Sequence, residues 1–133
     1  MYDTAEFMNS EKICVIVPTY NNSGTIAEVL SRIYRITQNI IVVNDGSDDD
    51  THRILQDIGF PLTVVEYKHN RGKGYALKCG FRKALSMGFN NAVTIDSDGQ
   101  HFPEDMPILI NAYREHPGAL IIGVRNLCED NMP

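Results

Sequence analysis

The chain has 133 residues, 43% of them apolar and 22% charged, with a net charge of −5 and no tryptophan. That is enough for one domain with a proper core and too apolar for disorder, and an acidic chain gives no grounds for nucleic-acid binding. Cys14, Cys79 and Cys128 form no Cys-x-x-Cys pair, and no apolar run approaches the ~20 residues of a membrane span. We therefore expect reduced thiols and a soluble, cytoplasmic chain, with an acid-containing N-terminal tail over 1–11 that is no signal peptide.

Lys12-Ile13-Cys14-Val15-Ile16-Val17 reads as a strand covered on both faces, ended by Pro18 and a polar loop to Gly24. Thr25-Ile26-Ala27-Glu28 has capping-box spacing, and Ile26, Val29, Leu30 and Ile33 predict a helix running to about Ile36. Asn39 to Val43 is a second buried strand, followed by Asn44-Asp45-Gly46-Ser47 and three further acids, Asp48 to Asp50. Asp49 or Asp50 suits the N-cap of a helix carrying Ile54, Leu55 and Ile58, which Gly59 and Pro61 stop. Leu62 to Tyr67 is a third strand, and Lys68-His69-Asn70-Arg71-Gly72-Lys73-Gly74 a basic, glycine-rich loop before a helix from Tyr75 to near Gly88. A fourth strand, Ala92 to Ile95, stops at Asp96-Ser97-Asp98-Gly99-Gln100-His101. Pro103 opens a helix with Ile108, Leu109, Ala112 and Tyr113 as its apolar face. His116-Pro117-Gly118 breaks that helix, and Ala119 to Val124 is a fifth strand, followed directly by Arg125.

This alternation predicts an α/β fold, a mostly parallel sheet with helices on both faces. Parallel strands put their carboxyl ends on one edge, so the five loops after the strands, Arg125 onward included, are expected to meet there. Positions two apart on an extended chain share a face, so Asp96 and Asp98 converge. Two close carboxylates repel unless a cation lies between them, and oxygen ligands at a strand end suit Mg²⁺ or Mn²⁺. Taken alone, Asp-x-Asp-Gly equally describes a turn whose carboxylates cap backbone groups. Asp45 can accept from a base or sugar edge, or serve as a turn residue, whereas Asp48 to Asp50 read as capping groups. Arg71, Lys73 and the amides of Gly72 and Gly74 can hold anionic oxygens near a helix start. The loop is neither a Walker sequence nor Gly-x-Gly-x-x-Gly.

Five stretches carry a resemblance: Val17-Pro18-Thr19-Tyr20-Asn21, Val42-Val43-Asn44-Asp45-Gly46-Ser47, Asn70-Arg71-Gly72-Lys73-Gly74, Asp96 to His101, and Gly123-Val124-Arg125. In this order they resemble the Rossmann-like, nucleotide-binding half of family-2 glycosyltransferases with the GT-A fold. The Asp-Ser-Asp-Gly-Gln-His version is most similar to the polyprenyl- and dolichyl-phosphate mannose or glucose synthase branch. The resemblance implies a donor-binding site formed by Pro18, Thr19, Tyr20, Asn21, Asp45, Asn70, Lys73 and Gly74. Within it, Pro18, Tyr20 and Asp45 would frame the base and ribose, and Lys73 would lie near the nucleotide or diphosphate. Asp96, Asp98 and Gln100 would surround Mg²⁺ or Mn²⁺, and Asp96, Asp98 and Arg125 would serve catalysis, Arg125 by meeting phosphate charge. Asn44 departs from the pattern, standing where the family more often has a second acid.

The activity implied is inverting transfer from a UDP- or GDP-sugar, with a lipid phosphate at the inner face of the membrane as the implied acceptor. The chain ends at Pro133, so we expect the acceptor half to be missing. The alternative is a non-catalytic or truncated sugar-nucleotide-binding module acting through a homo-oligomer or another partner. A phosphoacceptor domain of the receiver type would place its acid pair after the first strand, where Pro18-Thr19-Tyr20 stands instead.

Overall fold

The computed structural model describes residues 3–99 and 103–115 and the backbone of 124–126. Five strands form one sheet in the order β3-β2-β1-β4-β5: β1 (Ile13–Thr19), β2 (Ile40–Asp45), β3 (Thr63–Tyr67), β4 (Asn91–Thr94) and β5 (Val124–Asn126). β1, β2, β3 and β4 run parallel, as the alternating pattern predicts. Every residue of β1 and β2 is buried, which is why these two strands read as unbroken apolar runs rather than as alternating ones.

Both faces of the sheet are covered. Ile13, Val15, Val17, Ile40 and Val42 face one helical layer, made of α1 (Thr4–Ser10), α2 (Ile26–Tyr34), α3 (Thr51–Asp57) and α5 (Met106–Glu115). Cys14, Ile16, Ile41 and Val43 face α4 (Lys73–Ser86), which contributes Ala76, Phe81 and Ala84. Each fully buried aliphatic side chain contributes about 1.5–3 kcal/mol, so these central strands anchor the fold. At Gly80 an added Cβ would lie 2.6 Å from Ile16 Cγ2. The missing side chain lets α4 lie close to the sheet, which brings its first turn near the carboxyl edge.

Three expectations change. Residues 1–11, read as a tail, include α1, capped by the Asp3 carboxylate and with Met8 fully buried against the core. On α5, Met106 and Ile110 face inward while Ile108 is 68% exposed. The apolar stripe is therefore set by 106, 109, 110 and 113, so Leu109 and Tyr113 face the core as expected, and a 3-10 turn over Pro103–Asp105 precedes the helix proper. Pro107 sits in the first turn of α5, where a missing N–H removes no intrahelical bond.

The third change concerns the last strand. β5 is antiparallel to β4, with Arg125 opposite Ala92 and Asn126 opposite Asn91. Its chain runs away from the carboxyl edge, so Arg125 does not follow a strand end there as expected. The predicted strand began at Ala119; residues 116–123 lie outside the described residues, as do Gln100, His101, Cys128 and the side chain of Arg125.

A cleft at the carboxyl edge, between the first and fourth strands

The strand order reverses between β1 and β4, because β1 continues to β2 on one side and its other neighbour is β4. In open α/β sheets this is where the crossing chains leave a crevice beyond the strand ends. A cleft of about 310 Å³ opens there. Its walls are Pro18 and Thr19 at the end of β1, Tyr20 and Asn22 after it, Asp45 at the end of β2, Asn70, Gly72, Lys73 and Ala76 from the β3–α4 segment, and Asp96, Ser97 and Asp98 after β4. Four of the five expected loops thus converge. Asn21 and Gly74 lie outside the wall.

Asp45 is 3% exposed, and its carboxylate is surrounded by donors. Tyr67 Oη (2.7 Å) and the Arg71 amide (2.8 Å) donate to Oδ1, and Asn70 Nδ2 (2.9 Å) and the Gly72 amide (3.0 Å) to Oδ2. A carboxylate has about four lone-pair sites. Three donors from the basic loop and the Tyr67 hydroxyl at the end of β3 occupy these sites. Burial, and then this bond to Asp45, raise the Tyr67 phenol above its ordinary value. Gly46, at φ +70, allows the arrangement: an added Cβ would lie 2.3 Å from both the Asn70 nitrogen and the His69 carbonyl carbon.

Asn21 is also committed to the protein. It adopts φ 53, a region asparagine tolerates, its amide donates to Ser47 Oγ (2.9 Å), and its Oδ1 accepts from the Asp48 amide (2.9 Å). Asp49 accepts from the Thr51 amide and hydroxyl and from the Ser23 amide, so Asp49 supplies the capping carboxylate of α3 while Asp50 holds only the N-cap position. Burial pushes the Asp49 carboxyl upward, but these hydrogen bonds from Thr51 and Ser23 outweigh it and leave it below its usual value. Asp48 to Asp50 are turn and capping residues at the loop, with no place in the cleft wall.

Lys73 opens α4 directly after Gly72, whose φ of +95 turns the chain into the helix without a side-chain cap. The helix begins two residues earlier than expected, so the loop's lysine lies at the positive end of the helix dipole. Its ammonium pairs with Asp96 at 2.7 Å across the cleft. Arg71 instead lies over the Tyr75 ring, 4.5 Å from its centroid. Asp96, Ser97 and Asp98 all border the cleft, with Ser97 buried and Asp98 exposed. Thr19, 2% exposed, also borders it, and its hydroxyl is the buried polar side-chain atom among the described residues with no hydrogen-bond partner.

Among the described residues no cluster of three or more His, Cys, Asp or Glu gathers, so the acid pair offers two protein donors. Carboxylate oxygens are the donors that Mg²⁺ and Mn²⁺ prefer, and Mg²⁺ is commonly held by one or two of them with phosphate completing the shell. Asp96 already receives a cationic group in the form of the Lys73 ammonium, so the residues present fit a divalent ion.

Two features lay outside the reading of the sequence. Thr25, expected to cap α2, makes no side-chain cap bond and instead donates from Oγ1 to the Ser97 carbonyl at 2.5 Å. Arg32 on α2 grips Glu104 through two hydrogen bonds, holding the Glu104 carboxyl at about 2. Both partnerships span 72 residues, and no local spacing signals them.

Parallel strands with helices on both faces and an acid–base cleft at the strand-order reversal define an open α/β domain with its polar site at the carboxyl edge of the sheet. Over residues 14–132 the chain matches the Glycosyl transferase family 2 model, and it belongs to that family. It is 29% identical to a UDP-N-acetylglucosamine–dolichyl-phosphate N-acetylglucosaminyltransferase of Methanococcus voltae, over 89% of this chain and 53% of that one. It is 36% identical to the dolichol-phosphate mannosyltransferase of Pyrococcus furiosus, over 77% of this chain and 30% of that one. Among solved structures, glucosyl-3-phosphoglycerate synthase of Mycobacterium tuberculosis in complex with Mn²⁺, UDP-glucose and phosphoglyceric acid superposes with a TM-score of 0.68. That match is 26% identical and covers 86% of this chain and 43% of that one. The fold is the GT-A arrangement, and these relatives are enzymes. The chain spans about half the length of the first two curated relatives it matches.

Proposed function

We propose that this chain is the donor-binding half of an inverting glycosyltransferase that takes a nucleoside diphosphate sugar together with Mg²⁺ or Mn²⁺. The observation that carries this reading is the pairing of Lys73 with the Asp96–Asp98 edge inside the cleft between β1 and β4. A diphosphate needs cationic partners and a divalent ion needs carboxylate oxygens, and here the two lie side by side. Manganese and UDP-glucose in the Mycobacterium tuberculosis structure support the same assignment.

In this reading the Tyr20 ring, 43% exposed at the mouth, flanks the base, and the unpartnered Thr19 hydroxyl takes a polar atom of the nucleoside. Lys73 and the first turn of α4 hold diphosphate oxygens. Asp96 and Asp98 hold the cation, with Gln100 as a third donor. Asp45 acts through the loop it grips. The bound cation supplies positive charge for the leaving nucleoside diphosphate. The reaction is one in-line displacement: an acceptor oxygen bonds to the anomeric carbon as the bond from that carbon to the diphosphate oxygen breaks, with inversion. Polyprenyl and dolichyl phosphates, named for the relatives, are the acceptor class proposed. Such an acceptor is already an anion, so orientation and charge stabilisation suffice without a base to deprotonate a hydroxyl.

Calorimetric titration with UDP and GDP, with and without Mn²⁺, tests the proposal. Binding of at least one nucleotide that strengthens with Mn²⁺ supports it, and failure of both to bind under either condition overturns it.

A further inference from the structure

Ser97 stands between the two carboxylates and is 1% exposed. The β1–β4 ladder ends at the bond from the Ile95 amide to the Ile16 carbonyl, 3.0 Å. Two residues further on, a continuing parallel ladder would bring the amide of residue 97 to the Pro18 carbonyl. The Ser97 hydroxyl donates to that carbonyl, at 3.1 Å. The same hydroxyl accepts from Asn22 Nδ2 at 2.7 Å, and the Ser97 carbonyl accepts from Thr25 Oγ1 at 2.5 Å. One side chain therefore replaces a backbone bond where the strand leaves the sheet. It also fastens the acid-bearing segment to the loop that carries Tyr20 and Asn22.

We propose that Ser97 is a positioning residue for cation binding: by turning inward onto Pro18, Asn22 and Thr25 it holds Asp96 and Asp98 at the cleft. The chain bends at Ser97 just beyond β4, so anchoring this middle residue inward fixes where its two neighbours, Asp96 and Asp98, leave the sheet. The anchors are the end of β1 at Pro18 and the loop after it, so the inference makes the segment beside the nucleotide also set the position of the metal carboxylates. It rests on the function proposed above.

The test is Mn²⁺ binding followed by electron paramagnetic resonance, with UDP and GDP binding measured in parallel without metal, on the wild-type chain and on Ser97→Ala and Thr25→Val. Ser97→Ala is expected to weaken Mn²⁺ binding about tenfold, since buried partners lose their hydrogen bond. Thr25→Val, nearly isosteric and outside the cleft wall, is expected to weaken it about threefold. Metal-free nucleotide binding stays at the wild-type level in Thr25→Val, which lies outside the cleft wall, whereas a general loosening of the fold would lower it. Folded variants that bind Mn²⁺ like the wild type, or a Thr25→Val chain that loses metal-free nucleotide affinity by the same factor, overturn the proposal. Should Ser97→Ala not fold, the Thr25→Val result decides in the same terms. If the wild-type chain binds neither nucleotide with Mn²⁺, the functional reading falls and takes this inference with it; wild-type binding with unaltered variants removes the inference alone.

Discussion

The Lys73 ammonium lies 2.7 and 2.9 Å from the two carboxylate oxygens of Asp96, joining the first turn of α4 to the end of the β4 segment across the cleft. A cation arriving at Asp96 competes with this ammonium, and a diphosphate attracts the same group. Lys73→Met keeps the length and removes the charge. We expect Mn²⁺ binding without nucleotide to tighten up to about fivefold, the range of a partly exposed ion pair, while UDP or GDP binding weakens. Mn²⁺ titration checks this, and unchanged or weaker Mn²⁺ binding would contradict the competition.

Asp98 is exposed and borders the same cleft. Asp98→Ala is expected to remove the Mn²⁺-dependent part of nucleotide binding while changing stability by no more than about 0.5 kcal/mol. Calorimetry and a denaturant melt read the two quantities separately. Wild-type nucleotide binding in Mn²⁺ would show that the residue has no part in holding the ion.

The four donors around Asp45 distinguish two roles for this residue. A base contact predicts that Asp45→Asn harms nucleotide binding and spares pyrophosphate. A grip on the Arg71–Lys73 loop predicts equal losses for both ligands, because an amide group would set a donor against donors. We expect equal losses, faster amide exchange at Arg71 and Gly72, and a stability cost of about 1–3 kcal/mol. A loss confined to nucleotide, with exchange unchanged, would restore the base contact.

Gly46 and Gly24 make a matched pair. Alanine at 46 meets backbone at 2.3 Å with φ +70, whereas alanine at 24 meets nothing within 4 Å. Gly46→Ala is expected to destabilise by about 1–3 kcal/mol or more, from left-handed strain with the clash added. Gly24→Ala is expected to be near neutral, and urea denaturation of the two variants measures the contrast.

Arg32 holds the Glu104 carboxyl at about 2, below its ordinary 4.5. A depressed carboxyl contributes stability above its unfolded-state value and loses it as pH falls through its folded-state value. The deficit of Arg32→Gln relative to wild type should therefore be constant above pH 4.5 and vanish by about pH 2. It should also shrink in high salt, because the pair is exposed. Denaturation midpoints against pH report it; a deficit that persists at pH 2 would assign the effect to packing by the arginine stem.

The amino-acid order alone determined the layout of the sheet's centre. Val15 to Val17 and Ile41 to Val43 are unbroken apolar runs because both faces of β1 and β2 are covered, and an element's own burial is written in its own residues. The motifs after them were legible for the same local reason: glycine and acid after a buried strand mark a turn at a strand end, wherever that strand sits. Tertiary structure alone decided the direction of β5, since three residues carry no information about which way they pair. It decided that Met8 docks and Ile108 does not, because the difference lies in what each surface meets. It also decided what the polar side chains do. Asp45, Asn21, Ser97 and Thr25 have long-range partners between 22 and 79 residues away, and such hydrogen bonds depend on where the folded chain brings donors and acceptors together.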